Sequence, residues 1–286
     1  MIDLSITIVN FNTKDLLRQC LTSIYEMTKN ISFEIIVVDN ASSDGSVEMI
    51  RKEFPHVKVI ENKENLFFTK AHNQALRIAN GRYLMLLNSD TIVINNAFEI
   101  MVNFMNEHPE VGACGPKLLN LDMTLQRSSD RLPSFLYGLF EVLLMNTLFP
   151  NNVVKKYRIY ANWDRNSTKE VDSVGGSCMM VKKEVTDKVG LLDENFLAYF
   201  EETDWCKRIL EAGYKIYYIS EAQIIHYWQV AMDKLGREKK EKIFYDSMLY
   251  YYSKHYGIFS SLILWLILNF YTKPMLKIVR WVKLLI

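Results

Sequence analysis

The sequence predicts an α/β fold: a mainly parallel central sheet with helices on both faces. Short segments rich in Ile and Val alternate with amphipathic segments, which is the pattern of parallel strands joined by crossover helices. Polar residues follow several of the apolar segments, and a parallel sheet carries its ligand site where its strands end. With 286 residues, 49% of them hydrophobic, the chain can bury a large core.

Four strands are predicted in the first half of the chain, at 5–9, 34–38, 57–60 and 83–87. Thr13 can cap the first helix, and further helices follow Ser46 and Asn65. The fourth strand stops abruptly at a short polar turn. Because parallel strands end at one edge of a sheet, we expect the polar residues at these ends to meet in one site. These residues are Asn10, Asn12, Asp39, Asn40 and Asp90.

After the fourth strand, the sequence predicts a helix near 97–105, a strand at 111–119 and a further strand at 215–219. The apolar stretch 134–149 lies between polar loops, and we interpret it as a mobile helix on the acceptor side or facing a membrane. Gly175 and Gly176 interrupt a strand-like segment, where the missing side chains would let a ligand approach the backbone. His226 closes another apolar, strand-like run.

Three acidic residues open a helix that stops at Gly213: Glu201, Glu202 and Asp204. Acidic residues in a first turn often only complement the helix dipole. Three in four positions exceed that need, and crowded like charges raise a carboxylate pKa towards the range of a general base.

Several functional classes are disfavoured. A net charge of +1 gives no indication of a nucleic-acid partner. The four cysteines are scattered without a CxxC pair, which argues against zinc and disulfides and favours a reducing, cytoplasmic setting. The N-terminus shows no signal-peptide pattern. Since GxGxxG and GxxxxGK[ST] are absent, a nucleotide would be held by carboxylates and amides, together with a metal ion.

Together these segments resemble the family 2 glycosyltransferases with a GT-A fold, in their rhamnosyltransferase-like branch. The resemblance extends from about residue 5 to residue 228 and is most specific at 39–46 and 201–208. It implies a GT-A domain over 1–230, with a nucleotide-binding half at 1–119 and an acceptor and catalytic half at 120–230. Residues 231–286 would then form a helical, membrane-associating tail.

The resemblance implies inverting transfer of a single sugar from dTDP-rhamnose or a UDP-sugar to a hydroxyl of a lipid-linked glycan. Glu202 matches the place of the catalytic base, with Glu201 and Asp204 as unranked alternatives. Asp90 and His226 would bind Mg²⁺ or Mn²⁺, although Asn88 replaces the first Asp of the family's Asp-x-Asp and removes a charge. Sugar or acceptor contacts are expected from Gly175, Gly176 and Trp205. The nucleotide would contact Asn10, Asn12, Asp39, Asn40, Asp44, Asn88 and Ser89.

The tail is predicted to lie on the cytoplasmic face of a membrane. The apolar run 258–270 is shorter than the about 20 residues that a spanning helix needs. Residues 273–286 combine a basic stripe (Lys273, Lys277, Arg280 and Lys283) with apolar positions, which is typical of an in-plane anchor. The alternative is a helix docked on the domain. Lys277 stands where processive members carry the Gln of Gln-x-x-Arg-Trp, so single-sugar transfer is expected.

Two other functions fit parts of the pattern. A nucleotidyltransferase would share the fold, but these enzymes carry a glycine-rich basic loop after the first strand, and 10–14 is not such a loop. A catalytically inactive nucleotide-sugar-binding protein at the membrane would not need the acidic residues near 90 and 202. Specificity is expected to reside in the loops 120–133 and 151–169.

Overall fold

Strands and helices alternate through the N-terminal half, as the sequence predicts. The structure is a computed structural model that describes residues 1–227 and 236–277. The elements of this half are β1 (Leu4–Asn10), α1 (Lys14–Met27), β2 (Phe33–Asp39), α2 (Ser46–Glu53), β3 (Lys58–Glu61), α3 (Phe67–Ile78), β4 (Tyr83–Asn88), β5 (Thr91–Ile94), α4 (Ala97–Glu107) and β6 (Val111–Leu119).

The C-terminal half is less regular and contains several two-residue strands. Its elements are β7 (Leu125–Gln126), β8 (Ser129–Asp130), α5 (Phe135–Val142), α6 (Met145–Leu148), α7 (Val153–Arg158), β9 (Lys169–Glu170), β10 (Ser173–Val174), β11 (Cys178–Lys182), α8 (Lys183–Val189), α9 (Glu201–Glu211), β12 (Lys215–His226), α10 (Arg237–Tyr256) and α11 (Ile258–Ile267). The strand predicted at 215–219 and the run that ends at His226 are one continuous strand, β12.

One mixed sheet organises the molecule, with the strand order β3-β2-β1-β4-β11-β6-β12-β5. The first four strands are parallel, and β11 is antiparallel to both of its neighbours. In the register of the parallel strands, Asn10 lies opposite Asp39 and Val9 lies opposite Asn88. The polar residues at these strand ends are therefore neighbours, as we expected from the sequence.

Each face of the sheet is covered by its own apolar layer. Ile6, Ile8 and Val37 pack under α1 and α4, whereas Ile36 and Val38 pack under α3 and α9. These alternating residues of β1 and β2 are fully buried or nearly so. A strand with both faces covered reads as a continuous apolar run, which explains why the sequence shows runs instead of alternation.

The stretch 134–149 forms two short helices, α5 and α6, and not one mobile helix. Val142 is fully buried in a third apolar cluster, which it shares with Tyr251 and Tyr252 of α10. Gly138 makes this packing possible, since a Cβ there would lie 2.5 Å from Cζ of Tyr252. Leu148 and other residues of the stretch remain exposed. One side of the stretch therefore packs against α10 in this third cluster, and its other side faces solvent.

All four cysteines are buried and free. Burial raises the pKa of the Cys20 and Cys206 thiols to about 12, and it also raises the pKa of Cys114 and Cys178. Thiols in such surroundings are inert, because the thiolate is the reactive form. Their role is that of small apolar core residues.

The C-terminal apolar helix is longer than the sequence suggested. Helix α11 continues through a π-helical turn, Leu268–Thr272, and runs on to Lys277. This 20-residue helix is, by length and composition alone, sufficient to cross a membrane. Leu264 and Leu268 pack against the domain, while much of the remaining apolar surface is exposed. Arg280 and Lys283 of the predicted basic stripe, and Trp281 between them, lie outside the described residues.

Candidate active site

A chain of hydrogen bonds joins the ends of β1, β2 and β4. Asn10 Nδ2 donates to Asp39 Oδ1 over 2.8 Å, and Asn10 Oδ1 accepts from the Thr13 hydroxyl at 2.6 Å. That hydroxyl lies 2.8 Å from Ser89 Oγ. The other oxygen of Asp39 accepts from the backbone N–H of Ser42 at 2.8 Å. Each carboxylate oxygen can accept a second bond, so Asp39 keeps capacity for a ligand.

Three other predicted nucleotide residues shape the same edge. Asp44 accepts backbone N–H bonds from Lys14 and Ser46, which open α1 and α2. Burial raises the pKa of Asp44, but the bonds from Ser46 and Lys14 outweigh it and lower the pKa overall. Asn12 adopts a left-handed backbone (φ 55°) and accepts from the Ser43 N–H. Asn40 is buried and donates to the carbonyl of Phe67 at the start of α3. These bonds set the loop conformations around the strand ends.

Asn88, Asp90 and His226 meet where β4 and β12 end and β5 begins. His226 Nε2 lies 3.3 Å from Asp90 Oδ1 and 3.1 Å from Asn88 Nδ2. Asp90 and His226 are each 6% exposed. Asn88 and His226, 138 positions apart in the sequence, are therefore in contact. Asp90 and His226, the two predicted metal ligands, lie in the same cluster.

Gln126, which the sequence did not single out, orients the imidazole of His226. Its Nε2 donates to Asn120 Oδ1 at 2.9 Å and to the His226 carbonyl at 3.0 Å. Its Oε1 therefore faces His226 Nδ1, 2.6 Å away, and must accept the proton of that nitrogen. The neutral ring then keeps its lone pair on Nε2, facing Asp90, which is the state that binds metal ions.

The donor set fits a divalent ion bound together with a diphosphate. Mg²⁺ uses one or two protein carboxylates and takes its remaining ligands from phosphate and water, and Mn²⁺ accepts the same oxygen ligands. Asp90 and His226 supply two ligands of this kind. Within 1–227 and 236–277, no group of three or more His, Cys, Asp or Glu side chains could enclose a metal alone. The site thus suits an ion that depends on its substrate for ligands.

A cavity of about 390 Å³ brings this cluster together with the acidic helix. Asn88 and His226 line one part of it, and Glu201 and Glu202 line another. Gly176 lies between Phe68 and Glu202, where a Cβ would come within 3.4 and 3.5 Å of their side chains. Gly176 therefore keeps the cavity open beside Glu202. Gly175 does not line it; its N–H donates to the carbonyl of Ser128 at 2.7 Å.

The two adjacent glutamates differ in their surroundings. Glu201 is 5% exposed, and its Oε2 has no hydrogen-bond partner within the described residues. Burial, followed by the charge of Glu202, raises the pKa of Glu201 well above its usual value. Glu202 is only partly buried and accepts from the Thr203 hydroxyl at 3.3 Å. Burial raises the pKa of Glu202 as well. The pair can therefore hold one proton on Glu201 while Glu202 ionises.

A strained turn delivers both glutamates to the cavity. Tyr199 and Phe200 have φ values of 66° and 67°, in the left-handed region that bulky residues avoid. Such residues each cost about 1–3 kcal/mol and cluster at functional sites. Phe200 packs on Phe244 and Tyr251 of α10, with ring centroids 5.7 and 5.4 Å apart. These aromatic contacts hold the turn.

Two predicted site residues are structural. Asp204 has no exposed surface, and its carboxylate contacts Arg208, Lys254 and His255 at 2.7 to 2.9 Å. Burial raises its pKa, but the bonds from His255 and Lys254 reverse that effect and lower it, so Asp204 is wrong as a candidate base. Trp205 is fully buried and donates to the carbonyl of Gly190 at 2.9 Å, which excludes an acceptor contact.

Arg158 is a further cavity residue that the sequence did not mark. It lines the cavity with Glu202 and stacks over the ring of Tyr137, 5.7 Å from its centroid. Its side chain is 12% exposed, and Asp130 Oδ2 lies 3.5 Å from Nη1. Nε and Nη1 have no hydrogen-bond partner in the part of the chain that the structure describes. A guanidinium that lines a cavity suits an anionic ligand.

Comparison with known proteins identifies the family. The model of glycosyl transferase family 2 matches residues 5–190, more than half of the chain. The chain belongs to this family. Membership sets aside the nucleotidyltransferase alternative.

A relative from Mycobacterium tuberculosis (strain CDC 1551 / Oshkosh), N-acetylglucosaminyl-diphospho-decaprenol L-rhamnosyltransferase, is 23% identical over 208 residues. The alignment covers 68% of this chain and 66% of the relative, so this glycosyltransferase spans just under two thirds of that protein's length.

Solved structures confirm the GT-A fold. GalNAc-T7, crystallised with UDP, GalNAc and Mn²⁺, superposes with a TM-score of 0.59 at 14% identity, over 79% of this chain and 44% of that one. A mannosyltransferase from Pyrobaculum calidifontis, in complex with GDP-Man and Mn²⁺, gives 0.54 at 16% identity, over 91% and 73%. The predicted mainly parallel sheet flanked by helices is thus the observed architecture.

The surroundings of Glu201 generate a prediction for stability. Because its pKa is higher in the folded than in the unfolded protein, the free energy of unfolding falls as pH rises above the usual value of 4.5. Glu201→Gln removes this ionisation, so the variant should lose less stability than the wild type between pH 4.5 and pH 8. Denaturant unfolding at several pH values measures this. Glu211→Gln, an exposed position on the same helix, is the control and should follow the wild type. Parallel curves for Glu201→Gln and wild type would contradict the assignment.

Proposed function

We propose that this glycosyltransferase transfers a single sugar, with inversion, from a nucleotide-diphosphate donor to a hydroxyl of a lipid-linked glycan acceptor. The main support is one observation: the cavity holds Asn88 and His226 together with Glu202. A diphosphate-binding group and a base that line one cavity allow attack at an anomeric carbon held between them. Residues 1–230 would form the catalytic domain, with its halves at 1–119 and 120–230.

Glu202 would act as the base. It faces the cavity and accepts one weak hydrogen bond, at 3.3 Å. Its pKa is raised, which brings it closer to the pKa that a general base needs near neutral pH. Protonated Glu201 would leave Glu202 as the ionised member of the pair. Glu202 would take the proton of the acceptor hydroxyl while that oxygen attacks the anomeric carbon.

The polar strand ends would hold the nucleotide. Asp39 and Asn10 would face the pyrimidine ring of the nucleotide, as the family resemblance implies. Asn12, Asn40, Asp44 and Ser89 would shape the same part of the site. Asp90 and His226 would hold Mg²⁺ or Mn²⁺, consistent with the Mn²⁺ in both structural neighbours. Such an ion offsets charge on a departing diphosphate. Gln126 would keep His226 in its metal-binding tautomer.

The acceptor and location are proposed from the relatives and from α11. The mycobacterial relative is named for a decaprenol diphosphate acceptor and L-rhamnose, which supports a dTDP-rhamnose or UDP-sugar donor and a role in cell-surface polysaccharide synthesis. An apolar helix with exposed Phe259, Trp265 and Phe270 is suited to a membrane surface. The protein would work on the cytoplasmic face, with 231–286 as its membrane-associating tail.

The first prediction concerns the base. Glu202→Gln should lower turnover by about 10²- to 10⁴-fold, because the amide cannot accept the proton. Binding of the nucleotide sugar, measured by calorimetry, should be retained. Glu201→Gln is the matched neighbour and should keep most of its turnover, since the carboxyl that it replaces is already protonated. Near wild-type turnover in Glu202→Gln would refute the assignment.

The second prediction concerns the metal. Asp90→Asn should weaken binding of Mn²⁺ in the presence of nucleoside diphosphate, because a charged ligand is lost. Asn88→Asp should strengthen it by restoring the charge of the Asp-x-Asp pattern. Titration of free Mn²⁺ by electron paramagnetic resonance measures both variants without requiring turnover. Equal affinities in wild type, Asp90→Asn and Asn88→Asp would argue against a metal at this position.

The third prediction concerns the membrane. Replacing Ile258, Phe259 and Phe270, which are exposed by 71% or more, with Ser should reduce flotation with anionic vesicles, because each change removes apolar surface that lipid would bury. The control carries Ser at Leu121 and Val153, two exposed apolar residues outside α11 and outside the cavities described below. If both variants float like the wild type, α11 is not the membrane contact.

A further inference from the structure

A second cavity lies beside the catalytic one and is not used by the chemistry proposed above. Its volume is about 730 Å³, within the roughly 300–1,000 Å³ of small-molecule sites. Its walls are mainly apolar and come from α6, α10 and the helix that continues α11, through residues such as Leu144, Leu148, Phe244 and Leu276. An apolar cavity of this size suits a hydrocarbon ligand.

The position of this cavity indicates which kind of hydrocarbon fits. Tyr199 and Phe244 line both cavities, so the apolar space and that of Glu202 are neighbours. At another wall, Leu276 belongs to the same helix as the exposed apolar residues of α11. The apolar cavity thus lies between the cavity that holds Glu202 and the helix that we propose for membrane contact. A ligand that follows this path has a polar end at the base and an apolar end towards lipid.

Arg158 provides a counterpart for the polar end. It stacks on Tyr137, which lies one helical turn from Glu141, and Glu141 lines the apolar cavity. Arg158 itself lines the catalytic cavity together with Glu202, and its side chain is 12% exposed. A guanidinium in the cavity wall that also holds Glu202 fits a phosphate on the acceptor. Guanidinium donors bind phosphate in a bidentate manner.

We propose that the apolar cavity binds the isoprenoid chain of a diphosphate-linked acceptor, with its phosphate facing Arg158. This proposal rests on the proposed function, because it concerns the acceptor of that reaction. It defines the acceptor by chemistry: a glycan on a polyprenyl diphosphate whose first isoprene units leave the membrane and enter the protein.

Chain length provides the first test. Wild-type protein should have a lower KM for an acceptor on a long polyprenyl diphosphate than for the same glycan on a short, water-soluble alkyl diphosphate. Thr147→Trp fills the cavity from an exposed position and should raise KM for the long-chain acceptor about tenfold, the effect of losing contact with about two methylene groups. KM for the short acceptor should not change. Val153→Trp, exposed on the neighbouring helix and outside the cavity, is the control.

A second variant separates loss of the cavity from loss of folding. Leu144 lines the cavity with a left-handed backbone, φ 60°, a conformation that Asn tolerates better than Leu. Leu144→Asn should therefore keep or raise the melting temperature while placing an amide in the apolar wall. An increase in KM for the long-chain acceptor, without loss of thermal stability, supports the proposal. An unchanged KM contradicts it.

Arg158 is tested by the acceptor's phosphate. Wild-type protein should prefer the diphosphate-linked acceptor over the same glycan on an uncharged alkyl chain, and Arg158→Gln should lose this preference. Arg127→Gln is the control, because Arg127 also pairs with Asp130 (3.3 Å) but does not line the cavity. The ratio of the two KM values is the readout, so a general loss of turnover does not affect it. A preference that persists in Arg158→Gln contradicts this part.

These outcomes distinguish the proposal from the function on which it rests. If no acceptor receives sugar from any donor, the proposed function fails. If the wild type uses long and short acceptors equally well and Thr147→Trp changes neither, transfer stands and the isoprenoid site is refuted.

Discussion

The candidate active site depends on one buried carboxylate. Asp204 lies without solvent contact between Arg208 of its own helix and Lys254 and His255 of α10. Removing one partner from a buried ion pair costs about 3–5 kcal/mol, because the remaining charge stays uncompensated. This cluster fixes α9, which carries both glutamates, against the helix that leads to the apolar C-terminus. The helix of the two glutamates and the C-terminal helices thus share one electrostatic anchor.

Two parts of the candidate site are held by different physical means. At the strand ends, short hydrogen bonds through Asn10, Thr13 and Ser89 connect β1, β2 and β4, and the sheet supplies the rigidity. Next to the two glutamates, aromatic rings of α10 pack against the strained turn at Tyr199 and Phe200. Because this second kind of support is apolar and comes from the C-terminal part, the position of Glu202 depends on segments beyond the family match at 5–190.

The sequence predicted those parts of the site that follow from the order of strands and helices. The strand ends and the meeting of Asn10 with Asp39 followed from the order of strands and helices, since parallel strands end together. Gln126 and Arg158 were missed because neither belongs to a motif and their roles depend on the folded chain. Gln126 bonds to His226, 100 residues away, and Arg158 shares a cavity wall with Glu202. For Asp204 the sequence did contain a sign of its structural role. Arg208 follows four residues later, which is the spacing of an ion pair within a helix.

The buried cysteines have a practical consequence. With the pKa of every native thiol raised by burial, maleimide reagents find almost no thiolate to attack near neutral pH. A cysteine introduced at an exposed position such as 147, at the rim of the apolar cavity, would then be the fast-reacting thiol of the protein. An environment-sensitive fluorophore attached there could report the arrival of a hydrocarbon chain directly in solution, with no need to delete the native cysteines.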